Sequence, residues 1–185
     1  MEHATFVTLP NLMSASRVAL AIGFVAFDGV STRLALIAVA SMTDFLDGWL
    51  ARRTQTISHI GALIDPLADR FFALGVVVAY VLGGQFTGWQ AVAVMFRDTM
   101  SIIGWFVARN VAWLRPITFK ARRIGKAVTV AQLATFLAVL LAPQWVSWLV
   151  LVVAALGCAA TADYTMMLWR ERTSHRADGA ESAAP

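Results

Sequence analysis

Apolar runs alternate with short polar breaks along almost the whole chain. Six of these runs reach roughly the 20 residues that an α-helix needs to cross a bilayer. They cover about residues 12–30, 33–53, 60–83, 88–113, 124–142 and 145–169. Helix breakers punctuate them. Gly83, Gly84 and Gly88 separate the third run from the fourth, Pro143 separates the fifth from the sixth, and Pro116 interrupts a longer basic connection after the fourth. The pattern predicts an all-α integral membrane protein with six transmembrane helices in a single membrane-embedded domain over residues 1–172. Residues 1–11 read as a short interfacial segment ahead of the first span. Residues 173–185 are small and polar and read as a disordered cytoplasmic tail. There is no internal repeat and no second, soluble domain.

Composition sharpens this picture. The chain is 59% hydrophobic and 14% charged, against about 25% charged in soluble domains. Its formal charge is +4. Arg52 and Arg53, then Arg115, Lys120, Arg122, Arg123 and Lys126, then Arg170, Arg172 and Arg176 fall on one set of connections, and the opposite set holds only Arg33. Cationic loops stay in the cytoplasm, so both termini are expected there, in a protein integral to the cell (inner) membrane. The basic excess then reflects topology and anionic lipid heads, not nucleic acid, for which no soluble basic domain exists. Cys158 is the single cysteine, which excludes an intrachain disulfide. No Lys or Arg precedes Arg17, so the positive start of a secretory signal peptide is missing.

Four aspartates interrupt the second and third runs: Asp44, Asp47, Asp65 and Asp69. Carboxylates inside an apolar helix are expensive and mark functional sites. Asp44 and Asp47 are three apart, and Asp65 and Asp69 four apart, so each pair shares a helix face. Two facing helices bring all four around a small volume, where they would repel one another without a compensating charge. Hard cations such as Mg²⁺ or Mn²⁺ prefer carboxylate oxygens, and two ions would suit this many ligands and a phosphoryl transfer. Gly48 and Gly61 permit close approach of a ligand, Ala51 is small, and Arg52 can fork onto a phosphate. Taken singly, the small residues also fit plain helix packing, and Asp65 or Asp69 fits a salt bridge to Arg52 or Arg70.

The string Asp44-x2-Asp47-Gly48-x2-Ala51-Arg52-x8-Gly61-x3-Asp65-x3-Asp69 resembles, at every specified position, the signature of the CDP-alcohol phosphatidyltransferase family. Pro10-Asn11-Leu12 followed by Arg17 is similar to that family's N-terminal pattern, and the resemblance extends over about residues 10–170. It implies a six-helix bundle, usually homodimeric, that transfers a phosphatidyl group from CDP-diacylglycerol to an alcohol and releases CMP. It further implies that Asp44, Asp47 and Asp65 ligate metal, and that Asp69 joins the metal site and serves as general base. Asp47, Gly48, Ala51, Arg52 and Gly61 match positions that contact the CDP moiety and its diphosphate.

The acceptor is read from a second cluster: Arg97-Asp98, then Arg123, Gly125-Lys126, Thr129 and Gln132. Cations beside a phosphotransfer site suit an anionic acceptor, and Arg97, Arg123, Lys126 and Thr129 are the candidates for holding glycerol 3-phosphate. The segment resembles the Gly-Lys-x-Lys-Thr…Gln pattern of phosphatidylglycerophosphate synthases, with Val128 in place of the second Lys. Arg-Asp at positions 97–98 also resembles cardiolipin synthases of the same family, so phosphatidylglycerol is an alternative acceptor, and serine or inositol types are others. A transporter using intramembrane carboxylates is the reading from a different class; the chain shows none of the inverted repeats such proteins carry. His59 reads as a solvated loop residue, Asp163 as the partner of an Arg such as Arg109 or Arg17, and the Trp residues near span ends as an interfacial belt.

Overall fold

A computed structural model describes the backbone of residues 9–54, 61–110 and 123–181 and the side chains of residues 16–46, 69–104, 106, 124–163 and 165–166. Six α-helices follow the six apolar runs: α1 (Leu9–Ala26), α2 (Val30–Thr54), α3 (Gly61–Leu82), α4 (Gly88–Asn110), α5 (Arg123–Leu141) and α6 (Val146–Glu181), the last preceded by a 3-10 turn at Pro143–Trp145. No strand occurs among the described residues. Among the described residues two segments, Ile124–Leu141 and Pro143–Asp163, are long and apolar enough to cross a membrane. The expected interfacial segment at 1–11 lies outside the described residues as far as residue 8. The expected tail is corrected in part: α6 continues to Glu181. Extending an existing helix needs no new nucleation, and Ala177 and Ala180 favour it.

Beside a hydrophobic core, two arginines are buried and many large apolar side chains are exposed. Arg17 and Arg33 are each 3% exposed, whereas Met42 and Phe45 are 66% and 68% exposed. Large apolar side chains left outward on this scale suit a chain whose surroundings are themselves apolar.

The chain divides into two compact units, one of Met1–Ala91 with Phe136–Gln144, the other of Val92–Thr135 with Trp145–Pro185. In the first, α1 packs chiefly on α3 and also on α2. The approach is closest at Gly75 of α3, where an added Cβ would stand 2.9 Å from the Cβ of Ala21. Small residues at such crossings let helix backbones meet. Phe24 and Tyr80 are fully buried and pack edge to face, 5.5 Å between centroids, with Phe72, Phe86 and Phe136 around them. The Tyr80 hydroxyl donates to the Phe136 carbonyl at 2.7 Å.

Arg33 closes the same end of this unit. It donates to Asp28 at 2.7 Å and to the Phe27 carbonyl at 2.9 Å, and lies over the Phe24 ring at 5.1 Å. The only cation on the arginine-poor side of the sequence is therefore a buried, neutralised clip and not a free loop charge. Nearby, α3 ends on Gly84, whose φ of +72° admits glycine readily. Gln90 accepts from the backbone N–H of Thr87 at 2.9 Å, as in a capping box at the start of α4.

In the second unit Val94, Val128, Val150 and Val153 are buried to 1% exposure or less. Asp98, Gln132 and Thr135 are buried among such residues, and the Thr135 hydroxyl is satisfied by the Ala131 carbonyl one turn earlier.

Candidate active site

The first half of the aspartate motif lies on the last turns of α2, and the second half opens α3 at Gly61. Asp44 and Asp69 are the two motif acids with described side chains, and the fold brings them together around a third residue, Arg17 of α1. Its Nη2 donates to Asp44 Oδ1 at 3.2 Å, and its Nη1 pairs with Asp69 Oδ1. One guanidinium fork thus spans carboxylates from two helices. The two acids are open, with side chains 63% and 49% exposed, while the Arg17 side chain is 4% exposed. The cation is thus buried beneath two carboxylates that are themselves open to their surroundings.

Asp47, Gly48, Ala51 and Arg52 continue α2, and Asp65 lies one turn before Asp69 on α3. The side chains of these residues and Gly61 lie outside the described residues, as does the side chain of Arg123. Helical backbone through residues 44–47 and 65–69 nevertheless puts each aspartate pair on one face. Among the described residues no group of three or more acid, His or Cys side chains converges; two of the four motif acids fall outside that set. The donor set that is described fits a hard cation: carboxylate oxygens from α2 and α3 already converge on one positive charge.

The second unit organises the proposed acceptor residues. Arg97 of α4 donates through Nη1 to Asp98 Oδ1 at 3.0 Å and through Nη2 to the Gly125 carbonyl at 3.3 Å. That places it against the first turn of α5, beside Lys126. Asp98 is held in turn: Gln132 Nε2 donates to its Oδ2 at 3.1 Å. Glycines make room for Arg97. A Cβ on Gly157 would meet the Arg97 Cβ at 3.3 Å, and one on Gly125 would meet its Nη2 at 3.3 Å. Lys126 and Thr129 are exposed, three apart on α5. The Thr129 hydroxyl donates back to the Gly125 carbonyl at 3.2 Å. Val128, which departs from the pattern that the Gly125–Gln132 segment resembles, is fully buried; its helix face points into the unit, away from that of Lys126 and Thr129.

The sequence placed Arg17, Asp98 and Gln132 within family-like segments but gave none of them a role. Each left a signal, being a charged or amide side chain inside an apolar run.

A family model described as CDP-alcohol phosphatidyltransferase matches residues 7–159. The chain belongs to the CDP-alcohol phosphatidyltransferase family. Within the family, one similar protein is a probable cardiolipin synthase (CMP-forming) of Drosophila melanogaster, 32% identical over 161 residues, which are 78% of this chain and 50% of that protein. A cardiolipin synthase (CMP-forming) of Streptomyces coelicolor is 28% identical over 172 residues, 88% of this chain and 78% of that protein. A CDP-diacylglycerol–glycerol-3-phosphate 3-phosphatidyltransferase of Mycoplasma pneumoniae is 35% identical over 95 residues, 51% of this chain and 37% of that protein. The matched segment thus spans half the length of the Drosophila relative and about three-quarters of the Streptomyces one.

Proposed function

We propose that this chain makes phospholipid by transferring the phosphatidyl group of CDP-diacylglycerol to the glycerol hydroxyl of glycerol 3-phosphate, releasing CMP. The observation that carries the reading is the convergence of Asp44 and Asp69 on one cation from separate helices, within a motif whose every specified position is filled. In this reading the six helices cross the inner membrane with both termini in the cytoplasm, the active site faces the cytoplasm, and two copies form a homodimer. Asp44, Asp47, Asp65 and Asp69 would hold Mg²⁺ or Mn²⁺, two ions in all. Bound there, the ions neutralise the diphosphate and the leaving CMP.

The residues of the chain supply the rest. Arg52 forks onto the diphosphate, and Gly48, Ala51 and Gly61 leave room for the CDP moiety. Asp69 accepts the proton of the acceptor hydroxyl as its oxygen attacks the phosphorus next to diacylglycerol. That bond forms as the bond to the CMP phosphate oxygen breaks, so the products are phosphatidylglycerophosphate and CMP. Lys126, Arg123, Arg97 and Thr129 hold the acceptor's phosphate. The acyl chains stay in lipid.

A second acceptor is favoured by a specific observation. The relatives that align over most of this chain are described as cardiolipin synthases, while the glycerol-3-phosphate enzyme aligns over about half. Phosphatidylglycerol offers the same group, a glycerol hydroxyl near a phosphate. The test is CMP release by the detergent-purified chain with CDP-diacylglycerol and Mg²⁺, each acceptor added alone. Stimulation by glycerol 3-phosphate supports the first reading. Stimulation by phosphatidylglycerol alone replaces it with the second, and no metal-dependent CMP release with any acceptor refutes both.

A further inference from the structure

We propose that Arg17 is a built-in counter-ion of the active site, occupying the carboxylates of Asp44 and Asp69 until a divalent cation displaces it. The proposal rests on the metal-binding reading above and adds a residue and a sequence of events to it.

Asp44 and Asp69 meet at one guanidinium, and like charges brought together repel one another, so a folded, metal-free site needs a cation of its own. Arg17 is placed to be that cation. It comes from α1, outside the motif, is 3% exposed, and reaches one oxygen of each acid with a different nitrogen. A guanidinium suits the task because it stays charged at any working pH and its planar fork spans two acceptors. The arrangement also tethers α1 to both motif helices, so the acids are already gathered when a metal arrives.

The same contacts set up a conflict. Asp44 Oδ1 and Asp69 Oδ1 are the atoms that Arg17 engages, and carboxylate oxygens are what a hard divalent ion takes. A dication at those oxygens would sit within a few ångströms of the guanidinium, a like-charge contact that burial makes worse. The Arg17 side chain has more rotatable bonds than either aspartate, so it can withdraw from them without moving a helix backbone. Metal and Arg17 therefore compete, and each weakens the other's hold.

The experiment measures Mn²⁺ alone, by paramagnetic resonance or calorimetry, binding to the full chain in detergent without lipid substrate. The variants are R17Q, R17K, D44N and R33Q. Competition predicts that R17Q binds Mn²⁺ about tenfold more tightly than wild type, within the roughly 5–150-fold range usual for coupled sites. It also predicts that metal-free R17Q melts lower, with the gap closing at saturating Mn²⁺. R17K, which keeps the charge and loses the fork, should tighten Mn²⁺ binding by a smaller factor, and it carries the test if R17Q does not fold. R33Q removes the other arginine buried among the described residues and should leave Mn²⁺ affinity unchanged, which separates exchange from a loosened fold. Unchanged or weaker Mn²⁺ binding in the Arg17 variants overturns the proposal and makes Arg17 a permanent support of the metal ligands. If wild type binds no more Mn²⁺ than D44N, the metal reading itself fails, and this proposal with it.

Discussion

Replacing Gly75 by alanine tests how closely α1 and α3 meet and what that contact does for the site. The added Cβ would lie 2.9 Å from the Ala21 Cβ and 3.3 Å from both the Ala21 Cα and its carbonyl oxygen. Carbon atoms pack comfortably at about 3.5–4.0 Å, so the helices must separate locally by roughly 0.6–1 Å. Overpacking of this kind costs about 1–3 kcal/mol. The better helix propensity of alanine returns about 1 kcal/mol. The net expectation is a loss of up to about 2 kcal/mol. The cycle with A21G isolates the clash. A21G alone loses about 1 kcal/mol of propensity, but the double variant A21G/G75A should return to within about 0.5 kcal/mol of wild type, a favourable coupling well above the error of additivity. Unfolding in mixed micelles with increasing SDS, followed by circular dichroism, gives the four stabilities. Activity supplies a second readout. Asp69, the proposed base, lies less than two turns before Gly75 on α3, so the separation shifts it from its place. A misplacement of about 1 Å can cost about 100-fold in rate, and CMP release should fall by between about 10- and 100-fold in G75A and recover in the double variant. A G75A protein as stable and active as wild type, with no coupling to A21G, would refute a close α1–α3 contact at this point.

Four further outcomes are expected. D69N should abolish CMP release while the metal-dependent binding of CDP-diacylglycerol persists; wild-type turnover would remove Asp69 as the base. K126A should raise the KM for glycerol 3-phosphate at least tenfold, an ordinary figure for a charge-assisted contact, and leave that for CDP-diacylglycerol within about twofold; equal effects on both substrates would point to a general role. Q132L strips one donor from the buried Asp98 carboxylate, a loss of about 1–3 kcal/mol in stability, and should raise the acceptor KM by loosening Arg97; an acceptor KM that does not move would confine Asp98 and Gln132 to packing. R33Q leaves the Asp28–Arg33 clip without its charge and should lower the melting temperature while the KM of both substrates stays put; a changed KM would show that this end of the unit communicates with the site.

The helices were legible because membrane burial writes itself into composition: a run of apolar residues between Gly, Pro and charge is a helix whatever it packs on, and α1 to α5 lie within a few residues of the runs that announce them. The motif was legible for a related reason. Spacings of three and four put Asp44 with Asp47 and Asp65 with Asp69 by local geometry alone. The end of α6 was misjudged because residues 173–181 are polar and small, and sequence composition does not register that a long helix already stands ready to be extended.

Other assignments had no local signature. Arg17 is 27 residues from Asp44 and 52 from Asp69, and nothing in its neighbourhood says that α1 crosses α3 at Ala21 and Gly75. Arg33 reads as a topological exception until Asp28, Phe24 and Tyr80 close around it. Val128 reads as a missing lysine until its helix face is seen to point inward. The amino-acid sequence by itself determined which segments are helical, that the chain suits an apolar medium, and which acids share a helix face, since each depends on residues within a few turns of one another. Only the tertiary structure decided which buried charge meets which, because pairing between distant helices is settled by backbone approach and side-chain reach, and these exist only once the helices have packed.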